Sequence, residues 1–262
     1  MTSAALHVAR TGLDAQSARM RVIANNLANV NTTGFKRDRA NFETLAYQAM
    51  TAPGAPSAGE NRYATGTTLG SGVQVAGTAR IDTQGTLQTT GNALDMAIEG
   101  GGYFQVQTPD GKTAYTRAGD FSMTAEGKIV TTDGMPLIPE ITVPEGAQKI
   151  TIGTDGTVSA TLQGEAEPTQ LGKIELARFV NPAGLEALGN NLLGETAASG
   201  APQVGEAGTE GRGALRQGSL EGSNVNIVEE LVDMIETQRA YEVNSKMISA
   251  TDEMLQYVNQ QF

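Results

Sequence analysis

The stretch that most constrains this chain is its last, Asn224 to Phe262, which contains neither Gly nor Pro. Ile227, Met234, Tyr241, Ile248 and Leu255 recur there every seven residues, and Leu231, Met247, Met254 and Val258 widen the stripe. Apolar side chains at this period share one face of a helix. Asn226 with Glu229 three residues on reads as an N-cap with a capping-box acid. Glu229, Glu230 and Asp233 suit the positive end of the helix dipole. A helix of this length runs roughly 50 Å, and its apolar stripe requires a partner.

A second heptad pattern stands at the opposite end. Leu6, Leu13, Met20 and Leu27 are seven apart, and Ala9, Ile23 and Val30 share the position three residues later. The spacing predicts a helix over Ser3 to Val30. An ordinary amphipathic helix on a globular core has the same periodicity, but pairing of the two terminal helices is the economical solution. Charge favours it modestly. Residues 1–30 set Arg10, Arg19 and Arg21 against Asp14, while residues 225–262 hold seven acids against Arg239 and Lys246. Asn25 and Asn26 interrupt the heptads, and a buried Asn can fix register at some cost in stability. Gly34 fits a C-terminal cap.

Between these ends the character is different. Residues 38–50 read as a short helix or an extended arm. Thr51 to Gly72 is rich in Pro, Gly, Ser and Thr and reads as a loop ordered, if at all, by a neighbouring subunit. From Val73 short β-branched runs alternate with turn signals at Pro109-Asp110-Gly111, Ala125-Glu126-Gly127, Thr132-Asp133-Gly134 and Asp155-Gly156. Asn181 to Gly194 reads as a turn with a short helix, and Glu195 to Gly213 as a second small-residue linker. The expected fold class is α+β: a discontinuous terminal α-helical coiled-coil hairpin with an inserted antiparallel β domain. The expected domains are 1–34 plus 220–262 for the helices, 35–78 for a linker or insert arm, and 79–219 for the β domain with its return linker.

Chemistry is scarce in this sequence. There is no Cys and a single His, His7, so thiolate metal sites and Ser-His or Cys-His catalysis are not expected. Gly100-Gly101-Gly102 lacks the spacing of a nucleotide loop and reads as a bulge or tight backbone approach. Acid pairs such as Asp110 with Asp120 belong to hairpin turns. The net charge of -11 disfavours nucleic acid and anionic membranes. No signal peptide or spanning segment is legible, so cytoplasmic residence or export without a cleaved signal is expected. No cofactor, metal or catalytic residue is expected. Apolar stripes that a two-helix hairpin cannot cover mark association, and a repeated head-to-tail contact builds an open helical filament.

Three runs carry a resemblance. ANNLANVNTTGFKRDR, Ala24 to Arg39, resembles the N-terminal signature of flagellar rod and hook axial proteins, and SNVNIVEELVDMIETQRAYEVNSKMISATDEML, Ser223 to Leu255, resembles their C-terminal signature. IEGGGYFQVQTPDGKTAYTRAGDFSMTAEGKIVTTDGMPL, Ile98 to Leu137, is similar to the β domain of the larger members. The resemblance picks out Asn31, Thr32, Gly34, Phe35, Gln238 and Arg239 as signature residues. It implies a structural subunit of the basal body, of the distal rod kind, with proximal rod and hook subunits as alternatives. The implied polymer is a rigid hollow rod that transmits torque and forms the export channel. Helical-core contacts would fall to Leu6, Leu13, Met20, Ile23, Asn25, Asn26, Leu27, Val30, Ile227, Leu231, Met234, Tyr241, Met247, Ile248, Met254 and Leu255. The implied partners are further copies of the chain, proximal rod proteins, the hook protein, the surrounding P- and L-ring proteins and the flagellar type III export apparatus. The implied location is the basal body from periplasm to outer membrane, reached without a cleaved signal peptide. A different class, an exported adhesin with a coiled-coil stalk, would instead be a closed trimer or monomer.

Overall fold

The computed structural model describes residues 2–58, 61–62, 64–162 and 167–261. The chain is α+β, with a helix at each end and antiparallel strands between them. It divides into two compact units. One gathers Met1–Leu27, Asp38–Ala79 and Asn226–Phe262; the other gathers Ala28–Arg37 and Arg80–Val225.

In the first unit, helix α1 spans Thr2–Ala28 and helix α2 spans Ile227–Gln261. The α2 start follows its sequence signal. The Asn226 side-chain oxygen accepts the Val228 N–H at 3.1 Å, and its carbonyl accepts the Glu230 N–H at 3.0 Å. The α1 end differs from expectation. The helix stops at Ala28, so Gly34 lies beyond any C-cap position. Asn26 helps to end it. Its amide oxygen accepts the Asp38 N–H at 3.0 Å and its amide nitrogen donates to the Asp38 carbonyl at 2.9 Å. The side chain thus bonds the first residue of the following strand.

Between 38 and 80 most of the described residues lie in paired strands. Strand Asp38–Thr44 lies beside Val73–Arg80. Tyr47–Thr51 pairs antiparallel with Thr67–Gly70, with Tyr47 opposite Gly70, Gln48 opposite Leu69 and a bulge between Ala49 and Thr51. A further short pair joins Pro56–Ala58 to Asn61–Arg62. Among its described residues, Thr51 to Gly72 therefore holds short paired strands, joined by turns, where the sequence reads as a loop. Composition concealed them because the pairing is between backbones and no alternating apolar pattern accompanies it.

The second unit holds a seven-stranded antiparallel sheet. In spatial order its main path is Glu186–Gly189, Leu192–Gly194, Thr113–Thr116, Tyr103–Gln107, Glu175–Arg178 and Gln203–Glu206, and Leu137–Ile138 also pairs with Tyr103–Gln107. A separate sheet joins Ala147–Ile152, Thr157–Leu162 and Thr169–Lys173. Strand alternation sorts the side chains. Phe104, Val106, Ala114 and Leu176 join Phe121, Ile129, Leu137, Val158 and Ile174 in one core. Tyr103, Tyr115 and Ala177 face the other way, with Phe179, Leu185 and Leu193. Tyr115 and Phe179 meet edge-on at 4.8 Å, as Phe104 and Phe121 do at 5.1 Å.

Two stretches differ from expectation here. Asn181 to Gly194 holds only a 3-10 turn at Pro182–Gly184, followed by the hairpin of Glu186–Gly189 and Leu192–Gly194. Glu195 to Gly213 is not simply a linker, since Gln203–Glu206 completes the main sheet against Glu175–Arg178. Small residues suit a strand whose neighbour already supplies the core side chains.

Candidate functional site

Two features stand out, one in each unit. In the β unit, Glu221 has no solvent exposure at all. Its carboxylate accepts Lys36 Nζ at 2.6 Å, Arg117 Nε at 2.5 Å and the Gly85 N–H at 2.9 Å. Arg117 Nη1 donates to the Gly102 carbonyl and its Nη2 to those of Ile98 and Gly100, and Lys36 donates to Thr83 O at 2.8 Å. The Gly100–Gly102 run thus provides a close approach of carbonyls around a guanidinium. Burial pushes the Glu221 carboxyl up, but the Arg117 charge, Lys36 and the Gly85 N–H together hold it below the usual carboxylate range. Burial pulls the Lys36 ammonium below the usual lysine range, with Glu221 opposing. Asn224 makes a parallel stitch, accepting the Arg37 N–H at 2.7 Å and donating to Ile81 O and Thr83 O. These contacts join residues near 36, 82, 100, 117 and 222 into one structural joint. Every charge in it is spent on protein partners, so it holds the unit together and offers no reactive group.

Sequence periodicity could not find this joint. Single charged residues in unrelated segments carry no pattern. Arg117 and Lys36 do lie inside the runs that resemble flagellar proteins, which was the available signal.

The second feature is the surface of α2. Glu230 and Thr237 are buried and Asn244 and Thr251 half-buried, at successive seven-residue intervals. This polar line faces α1. Asn26 Nδ2 donates to both Glu230 oxygens at 3.3 Å, and Arg19 pairs with Asp233 at 3.1 Å. A Cβ on Gly12 would lie 3.0 Å from Asn244 Nδ2. Val228, Val232 and Ile235 fall within about 40° of the opposite side of the helix, at 100° per residue. They are 69%, 51% and 50% exposed, and Ile227, Leu231, Val243, Met247, Met254 and Tyr257 are also exposed.

The sixteen residues expected at helical-core contacts divide accordingly. Ile23 and Asn26 are buried. Leu6, Leu13, Met20, Leu27, Val30, Met234 and Ile248 are half-buried. Asn25, Ile227, Leu231, Tyr241, Met247 and Met254 are exposed, and the Leu255 side chain lies outside the described residues. Of the signature residues, Gly34 is buried, Thr32 and Phe35 are half-buried, and Asn31, Gln238 and Arg239 are exposed. Among the described residues no cluster of His, Asp and Glu fits a metal ion, and no helix is long and apolar enough to cross a membrane.

Family models match the chain in three places. A flagella basal body rod protein model covers residues 6–36, the D1 domain of flagellar hook protein FlgE/F/G covers 97–160, and the C-terminal part of flagellar basal body rod FlgEFG protein covers 216–261. The chain is 51% identical to flagellar basal-body rod protein FlgG of Buchnera aphidicola from Acyrthosiphon pisum, over 97% of this chain and 98% of that one. It is 49% identical to FlgG of Agrobacterium fabrum over the same shares, and 40% identical to FlgG of Bacillus subtilis over 94% of each. Identity to flagellar basal-body rod protein FlgF of Caulobacter vibrioides is 35%, over 89% of this chain and 87% of that one.

These matches, on a chain with a helix at each end and antiparallel strands between them in sequence, define a structural protein of the bacterial flagellar axis rather than an enzyme. Within that class, the chain belongs to the FlgG family of flagellar basal-body rod proteins.

Proposed function

We propose that the protein polymerises head to tail into the rigid, hollow distal rod, with α1 and α2 pairing as an antiparallel coiled-coil hairpin in the polymer core. The observation that carries this reading is the exposed apolar surface of α2, with Val228, Val232 and Ile235 on the side away from α1 and Ile227, Leu231, Tyr241, Met247 and Met254 elsewhere around the helix. Copies of the same chain cover it, which removes apolar surface from water at roughly 25 cal/mol per Å2. The rod passes torque from motor to hook and leaves an axial passage for exported subunits. Its ends meet proximal rod proteins and the hook protein, the P- and L-ring proteins surround it, and subunits arrive through the flagellar type III export apparatus. Its place is the basal body between periplasm and outer membrane.

The β arm at 47–70 supports a further part of this reading. Tyr47 and Met50 are 63% and 62% exposed on a two-stranded ribbon. We assign it to bridging neighbouring copies and stiffening the tube. Electron microscopy of the concentrated protein tests the polymer: open straight filaments are expected. Discrete trimers would favour an adhesin stalk and sink the rod reading. Deleting Thr51 to Gly66 should yield flexible or longer filaments, and unchanged straight rods would refute the role given to the arm.

A further inference from the structure

The contacts between α1 and α2 form a regular series. Gly12, Arg19 and Asn26 stand seven apart on α1. Asn244, Thr237 and Glu230 stand seven apart on α2 in the reverse direction. Gly12 meets Asn244 and Asn26 meets Glu230, so fourteen residues separate the outer rungs on each helix. Arg19 fills the middle rung, one turn toward Asp233, whose carbonyl also accepts the buried Thr237 hydroxyl at 2.6 Å. We propose that this polar ladder is a register lock that fixes both the axial position and the rotation of α2 against α1, and so decides which apolar face a second copy of the chain can reach.

The physical case rests on what a slip would do. An apolar seam tolerates displacement by a heptad, because one Leu packs much like another. This ladder does not. A slip of seven residues one way places Asn26 opposite Ser223, which precedes the start of α2 at Ile227. A slip the other way carries Glu230 past Ala28, the end of α1. Either move removes the amide partner of a carboxylate only 1% exposed. Asn26 cannot follow a slip, because its amide is also bonded to the Asp38 main chain at 2.9 and 3.0 Å. Gly12 adds shape: the missing Cβ makes room for Asn244, and every other position of α1 carries a side chain. The lock therefore uses little of the apolar surface of α2, which stays available for association. A buried polar group is a known means of fixing helix register at some cost in stability.

The absence of Cys makes the test clean. Gly12→Cys with Asn244→Cys should form an intrachain disulfide on mild oxidation in assembled protein, read as a mobility shift at monomer mass. Gly12→Cys with Thr237→Cys, one heptad out of register, should not. Adding Asn26→Leu and Glu230→Leu to each pair should raise out-of-register cross-linking to the in-register level, while helix content by circular dichroism stays. Equal cross-linking of both pairs with Asn26 and Glu230 intact, or a cross-link only between chains, overturns the lock. So does a Leu–Leu variant that remains in register. The last step, access by a second copy, rests on the polymer reading. Filaments without the in-register disulfide would refute the lock alone; the disulfide in a chain that never forms filaments would refute polymerisation alone.

Discussion

Gly34 lies so close to Arg117 that a Cβ on it would stand 2.6 Å from the Arg117 carbonyl carbon. Its N–H meanwhile donates to the Glu221 carbonyl at 2.8 Å, and its φ is +69°. No L side chain fits there without displacing main chain. Gly34→Ala should cost the β unit about 2 kcal/mol or more. Urea unfolding followed by tyrosine fluorescence checks this, and a midpoint equal to the parent's would refute it.

Removing the shared carboxylate should cost more. Glu221→Ala leaves Lys36 and Arg117 buried without their counter-charge, and breaking a buried ion pair from one side costs about 3–5 kcal/mol. The double change of Lys36→Met with Glu221→Gln should recover part of that loss. A double variant as unstable as the sum of its single variants would show that the two groups do not act together.

The same carboxylate sets an acid limb. Its folded pKa lies below the ordinary value of 4.5, so the unfolded chain binds the proton first as pH falls. The stability it contributes is therefore present above about pH 4.5 and is lost as pH drops through the folded value. Denaturation midpoints of the parent chain should fall between pH 6 and pH 3 more steeply than those of Glu221→Gln. Parallel curves would remove Glu221 as the cause.

On α2, Val232→Asp and Ile235→Asp put charge on the face away from α1. Both should leave the β unit as stable as the parent, within about 0.5 kcal/mol, yet abolish filaments. Thermal unfolding beside negative-stain microscopy separates the two effects. Normal filaments from both variants would show that this face is not a subunit contact.

Much of the fold was readable from residue spacing. The Gly- and Pro-free terminus became α2, and Asn226 caps it. Hairpin signals such as Asp110-Gly111 and Asp155-Gly156 fall at turns, because only a few residue types accept the backbone a tight turn demands. What spacing could not show was the polar part of the face that meets α1. Heptad reading names the apolar members, of which Met234 and Ile248 are half-buried, but not the Asn, Glu and Arg side chains that bond between the helices. Nor could it find the arm, whose strands pair by backbone alone, or the Glu221 joint, whose members come from segments with no shared pattern.

Lys36 and Glu221 are separated by 185 positions in the chain. Their bond therefore forms only in a chain that extends through Glu221. A chain cut short before Glu221 would hold two cations with no anion to let them leave water. Truncated copies thus carry an internal mark of incompleteness, legible before any of them could be built into a larger structure.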